Sequence, residues 1–131
     1  MATDIGIRAT LSLPYEQAVQ ITTDALKVEG FGVLTQIDMQ ATFKQKINAD
    51  FRRYVILGAC NPALAHRAFS ANLDVGLLLP CNVTVYEEGT GSVVTAVDTV
   101  EMLGVLKEDP VVHAVAEEAR IRLQRVIASF K

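Results

Sequence analysis

The feature that most constrains the fold is a helical stripe near the end of the chain. Val112, Val115, Ala119, Leu123, Val126 and Phe130 recur at three- and four-residue spacing, which lines them up along one face of a helix. Asp109 can cap that helix, and Pro110 suits its first position, where a missing N–H breaks no hydrogen bond. Acids lead (Glu108, Asp109) and bases trail (Arg122, Arg125, Lys131), which complements the helix dipole. Glu118 and Arg122 add a pair one turn apart. A helix of this length with a single apolar face must lay that face against another layer.

The rest of the chain supplies that layer. Ile5, Ile7, Ala9 and Leu11 alternate with Gly6, Arg8, Thr10 and Ser12, the period of a half-buried strand. Pro14 then suits the first turn of a helix whose stripe is Tyr15, Ala18, Val19, Thr22, Ala25 and Leu26. Gly30 can turn left-handed just past its end. Residues 31–38 read as a second strand, and Met39, Phe43 and Ile47 predict a short helix over 39–48. Residues 51–60, rich in aromatic and branched side chains, read as a third strand. Residues 62–69 form a short helix with Asn61 as its N-cap. Residues 81–87 and 92–98 are two strands joined by the hairpin loop Glu88-Gly89-Thr90-Gly91. The order β-α-β-β-β-β-α with short helical insertions predicts an α+β, two-layer sandwich, a mainly antiparallel sheet with helices on one face. With 131 residues, 50% of them hydrophobic, residues 1–131 make one domain able to bury its own core.

Charge and composition exclude several function classes. Twelve basic against fifteen acidic residues give a net charge of −3, and there is no tryptophan, so no nucleic-acid partner is expected. The most apolar run, 75–85, is too short to span a bilayer and contains Pro80 and Asn82, so no membrane partner is expected. The start of the chain has no basic end followed by an apolar block, and the expected location is the cytoplasm, with reduced thiols. Nucleophile-elbow, phosphate-loop and dinucleotide motifs are lacking, and Gly30-Phe31-Gly32 opens a strand rather than a helix. No cofactor is expected.

Two cysteines carry the chemistry that is left. Cys60 lies between the end of a strand and the start of a helix, and two readings of it are open. Helix N–H groups can favour a thiolate there, or Cys60 is a small apolar residue ending a strand. Cys81 opens the fourth strand. If strands three and four pair antiparallel, the two cysteines share one edge of the sheet, with Cα atoms within about 10 Å on a strand spacing of ~5 Å. Both faces of the third strand are apolar, so side-chain parity stays open. Asn82 should point away from Cys81, so only three of Cys60, Asn61, Cys81 and Asn82 can readily converge. Lys46 and Tyr54 are further polar candidates beside them. His66, with the cysteines and an acid such as Asp38, could complete a metal shell, but no close-spaced ligand pair supports it and no metal is expected. His113 reads as a surface residue. The basic run Lys44, Lys46, Arg52 and Arg53 reads either as an anion site or as a solvated edge.

Gly58-Ala59-Cys60-Asn61-Pro62 and Gly76-Leu77-Leu78-Leu79-Pro80-Cys81-Asn82, together with Gly30-Phe31-Gly32-Val33-Leu34 and Ile37-Asp38, resemble the prokaryotic domain of unknown function 302 family over nearly the whole chain. The resemblance implies a TATA-box-binding-protein-like fold of strand, helix, four strands and helix. It implies no activity, and a DNA-binding role does not follow from such a fold.

Two functions are therefore weighed. The first is a homodimeric binding or interaction module, in which an uncovered sheet face carrying Ile56 or Leu57 meets a second copy and a small-molecule ligand is possible. The second is thiol-based redox or sulfur handling centred on Cys60, with or without Cys81. Whether the chain is an enzyme is left open.

Overall fold

The computed structural model describes residues 4–130, so Lys131 lies outside the described residues. Five strands form one antiparallel sheet in the order β1-β5-β4-β3-β2. These are β1 (Gly6–Leu11), β2 (Gly32–Asp38), β3 (Tyr54–Cys60), β4 (Cys81–Glu88) and β5 (Gly91–Val97). The helices are α1 (Tyr15–Val28), α2 (Met39–Ile47), α3 (Pro62–Ala71), the single turn α4 (Thr99–Met102) and α5 (Pro110–Ala128). The result is the two-layer α+β sandwich that the periodicities require.

Alternation along the strands fixes what faces the helices. Val55, Leu57 and Ala59 on β3, Cys81, Val83 and Val85 on β4, and Val94 and Ala96 on β5 are all buried on one face. Opposite them lie Ala18 and Leu26 of α1 and the α5 stripe, Val112, Val115, Ala119, Leu123 and Val126. The parity of β3 is thereby settled: Leu57 is core, and Ile56 belongs to the outer face opposite Thr84. Burying a Val or Leu side chain is worth about 1.5–3 kcal/mol, against ~1 kcal/mol for a cap. The α5 stripe therefore decides the packing, and Asp109, which accepts from Val111 and Val112 N–H, trims its end.

Several boundaries differ from the sequence reading. Pro14 is the N-cap of α1 rather than part of its first turn, and its carbonyl accepts from Ala18 N–H. Phe31 precedes β2 and is buried, held where its N–H donates to Leu26 O beyond Gly30, whose φ is +86°. β3 starts at Tyr54, and ahead of it Phe51 joins an aromatic cluster while Arg53 O still accepts from Glu87 N–H. In that cluster Phe43 meets Phe51 edge-on at 5.1 Å, and Tyr54 stacks on Tyr86 at 5.4 Å. A 3-10 turn, Leu73–Leu77, and the short helix α4 are additions that the pattern did not predict. The Leu79–Pro80 peptide is cis.

α4 is anchored by polar contacts. Asp98 accepts from Val100 and Glu101 N–H and takes two hydrogen bonds from Arg120 of α5, at 2.7 and 3.1 Å. Thr99 donates to Ala116 O at 2.6 Å. Together they pin the chain after β5 against the middle of α5.

Candidate functional site

The site is a cavity of about 140 Å³ at the end of the sheet where β3 finishes and β4 begins. Ala59, Cys60 and Cys81 form its sheet side. Leu64, Ala65 and Phe69 come from α3, and Val115 and Ala119 from α5. Thr99 and Leu103 close it from the α4 side, while Phe31, Leu34, Leu79 and Pro80 complete the rim. Among these described residues none is charged.

Local sequence explains how each wall reaches its place. Pairing of β2 with β3 shifts between Val33 and Thr35, which face Ala59 and Gly58. Leu34 is thus the extra residue of a bulge, and bulges re-aim side chains. It stands on the rim with 66% of its surface exposed. Close approach explains Gly58, where a Cβ would lie 2.2 Å from Thr35 Oγ1 and 3.0 Å from Pro80 Cγ.

The two cysteines meet at this cavity. Cys81 lies directly opposite Ala59. Paired Cα atoms are ~5.5 Å apart and consecutive ones ~3.8 Å, so the Cys60 and Cys81 Cα atoms are within about 9 Å. Cys81 points into the core side, whereas Cys60 alternates to the other side of β3 and is only half-buried. Both nevertheless line the cavity, because the sheet ends there, and both are free thiols.

Electrostatics at the thiols oppose ionisation. Burial pushes the Cys60 thiol up, and burial, with a smaller contribution from neighbouring Cys60, pushes Cys81 up to about 12. The start of α3 does not offset this. Its Leu64 N–H is taken by Asn61 Oδ1, while Asn61 Nδ2 donates to Glu29 O. The N-cap thus takes one of the donors at that helix end, and Pro62 has none to give.

The remaining candidates separate from the cysteines. Asn61 lines the cavity but its amide is committed to the cap and to Glu29. Asn82 is exposed on the outer face opposite Gly58, as alternation requires. Tyr54 is at the far end of β3, about 20 Å from Cys60 at ~3.3 Å per residue, in a separate concavity with Phe51, Arg52, Tyr86 and Glu88. Lys46 is exposed on α2, which borders β2 and β3 away from the cavity. His66 is exposed on α3, and Asp38 caps α2 by accepting from Ala41 N–H. Among the described residues, no three His, Cys, Asp or Glu side chains group to hold a metal ion. The basic run is largely neutralised: Lys44 pairs with Asp50, Arg52 with Glu88, and Arg53 with Glu16. His113 is a surface residue paired with Glu117.

The sequence brings the two cysteines to one end of the sheet, as the structure does, and gives no sign of the cavity's walls. Phe31, Leu64, Leu103, Val115 and Ala119 have the same apolar character whether they meet other side chains or an open space, so their pattern carries no separate signal.

The family model for the domain of unknown function DUF302 matches residues 7–130. The chain belongs to this family. A crystal structure of an uncharacterized conserved DUF302 protein from Bacillus stearothermophilus superposes with a TM-score of 0.89 at 28% sequence identity, covering 98% of this chain and 100% of that one. No curated protein is a detectable relative. Among the described residues, no helix is long and apolar enough to cross a membrane.

Proposed function

We propose that this DUF302 protein is a small binding module whose site is the cavity at the Cys60–Cys81 end of the sheet. The single observation that carries the reading is the cavity itself. Side chains from three strands, three helices and the connecting segments stop short of filling it, although protein interiors ordinarily pack without such gaps. The reading includes a cytoplasmic location, where the thiols stay reduced, and a TATA-box-binding-protein-like architecture, which the β-α-β-β-β-β-α order supports. The thiol-based alternative is the weaker one, because burial holds both thiols protonated and the thiolate is the reactive form. A mixed set of small polar and apolar molecules titrated into ¹⁵N-labelled protein tests the binding reading. Saturable shifts confined to amides around Cys60, Cys81 and Ala119 are expected, and no such shifts with any member would refute it.

A second reading, compatible with the first, is that the module works as a homodimer. It is supported by the outer sheet face, which the large helices leave uncovered and on which Ile37 is 46% exposed beside Ile56. Sedimentation equilibrium at micromolar concentration tests it, with a clean monomer as the refuting result.

A further inference from the structure

Resting on the binding reading above, we infer that the ligand is an uncharged, apolar molecule about the size of a single aromatic ring. Size is the first argument. The cavity holds about 140 Å³, close to the ~150 Å³ of an engineered apolar cavity that stays dry and admits benzene.

Polarity is the second argument. Among the described lining residues there is no Asp, Glu, Lys, Arg or His. The polar side chains that do reach the wall are already committed: Thr99 donates to Ala116 O, and Asn61 serves the α3 cap and Glu29. No buried side-chain nitrogen or oxygen among the described residues lacks a partner. A polar or charged group turned into the cavity, away from its open mouth, would thus go unmet, which is strongly unfavourable.

The third argument is the character of the polarisable groups. Two sulfurs lie at one side of the cavity and two phenylalanines, Phe31 and Phe69, line it elsewhere. Thiol burial keeps both sulfurs neutral, so they act as soft contacts rather than as anions. Neutral sulfur against an aromatic edge is a favourable contact. The entry side is apolar as well: Leu34 and Phe69 are 66% and 37% exposed on the rim. Gly76, in the turn that bears exposed Leu73 and Leu77, packs within 3.2 Å of the Phe69 ring when a Cβ is placed on it.

Toluene and benzoate are the probes, because they share a ring and differ in charge. Each is titrated into ¹⁵N-labelled protein, with the rate of Cys81 alkylation as a second readout. Toluene should give saturable shifts at the amides of Cys60, Cys81, Leu103 and Ala119 and slow Cys81 alkylation. Benzoate should bind at least tenfold more weakly. Ala119→Leu, which projects three more carbons into the space, should weaken toluene at least tenfold. Ala65→Leu, on the less buried α3 wall, makes the same test if Ala119→Leu does not fold. Benzoate binding as well as toluene at these amides would overturn the ligand class and leave the binding reading standing. If toluene, benzoate and every member of the mixed set fail to shift them, both readings fall. Toluene binding unaffected by a folded filling variant would overturn the placement of the ligand in this cavity.

Discussion

Alkylation of Cys81 offers the sharpest separation of a ligand-lining thiol from a reactive one. Burial raises its pKa from the ordinary 9.0 to about 12. At pH 8 the thiolate fraction then falls roughly 1,000-fold, because only the ionised form attacks. A more basic thiolate is also a better nucleophile, and with a Brønsted slope of ~0.45 this recovers roughly 20-fold. The net expectation is reaction about 50-fold slower than a free thiol, before any slowing by occlusion, and Cys81 is only 7% exposed. Iodoacetamide labelling of the folded Cys60→Ala variant, followed by mass spectrometry with glutathione as reference, measures this rate directly. In Cys81→Ala, Cys60 should also react more slowly than glutathione, by a smaller factor, because it is only half-buried. Labelling of Cys81 within threefold of glutathione in non-denaturing buffer would refute the argument. It would restore the thiol-chemistry alternative.

Further outcomes follow from the same contacts. Because the folded-state pKa of Cys81 is raised, its stabilising effect is complete below pH 9 and is lost as pH rises toward 12. Urea titrations should show wild type losing up to about 4 kcal/mol relative to Cys81→Val across that window, at ~1.36 kcal/mol per pH unit. Arg120→Met leaves the largely buried Asp98 carboxylate without its partner; a loss of about 1–3 kcal/mol is expected by urea denaturation. Asn61→Ala removes the α3 cap and the donor to Glu29 O, and should cost about 1–2 kcal/mol on the same assay. Ile56→Lys should weaken self-association in sedimentation equilibrium with little loss of stability, whereas Leu57→Lys, placed in the core, should prevent folding.

Most of the fold was legible because single faces of single elements carry it. The α5 stripe and the β1 alternation need no long-range information, and Gly30 and Asn61 mark helix ends by their own chemistry. Parity on β3 was not legible, because its outer face is apolar too: Tyr54 and Ile56 join an aromatic and aliphatic surface on that side. α4 does carry a local signal. Asp98 followed three residues later by Glu101 is a capping-box spacing, and Asp98 does accept from Glu101 N–H. Its ion pair with Arg120 spans 22 positions, and no local pattern announces a contact of that kind. Leu34 looks like any strand residue in the sequence, because a bulge depends on the partner strand, here the step from Ala59 to Gly58.

The paired Cys-Asn dipeptides show why alike motifs can take unlike roles. Cys60-Asn61 leaves a strand and enters a helix, so Asn61 is positioned to cap and its amide turns to backbone groups of Leu64 and Glu29. Cys81-Asn82 enters a strand, so pleating alone decides the outcome: Cys81 goes inward and Asn82 goes to solvent. The amides therefore diverge while the sulfurs approach, since Cys81 faces Ala59 and Cys60 is the next residue along. What remains free at the shared end is sulfur and hydrocarbon, since the Asn61 amide and the Thr99 hydroxyl on its wall are bonded to backbone groups. Under the proposed binding reading, selectivity in such a site rests on shape and on the cost of burying charge.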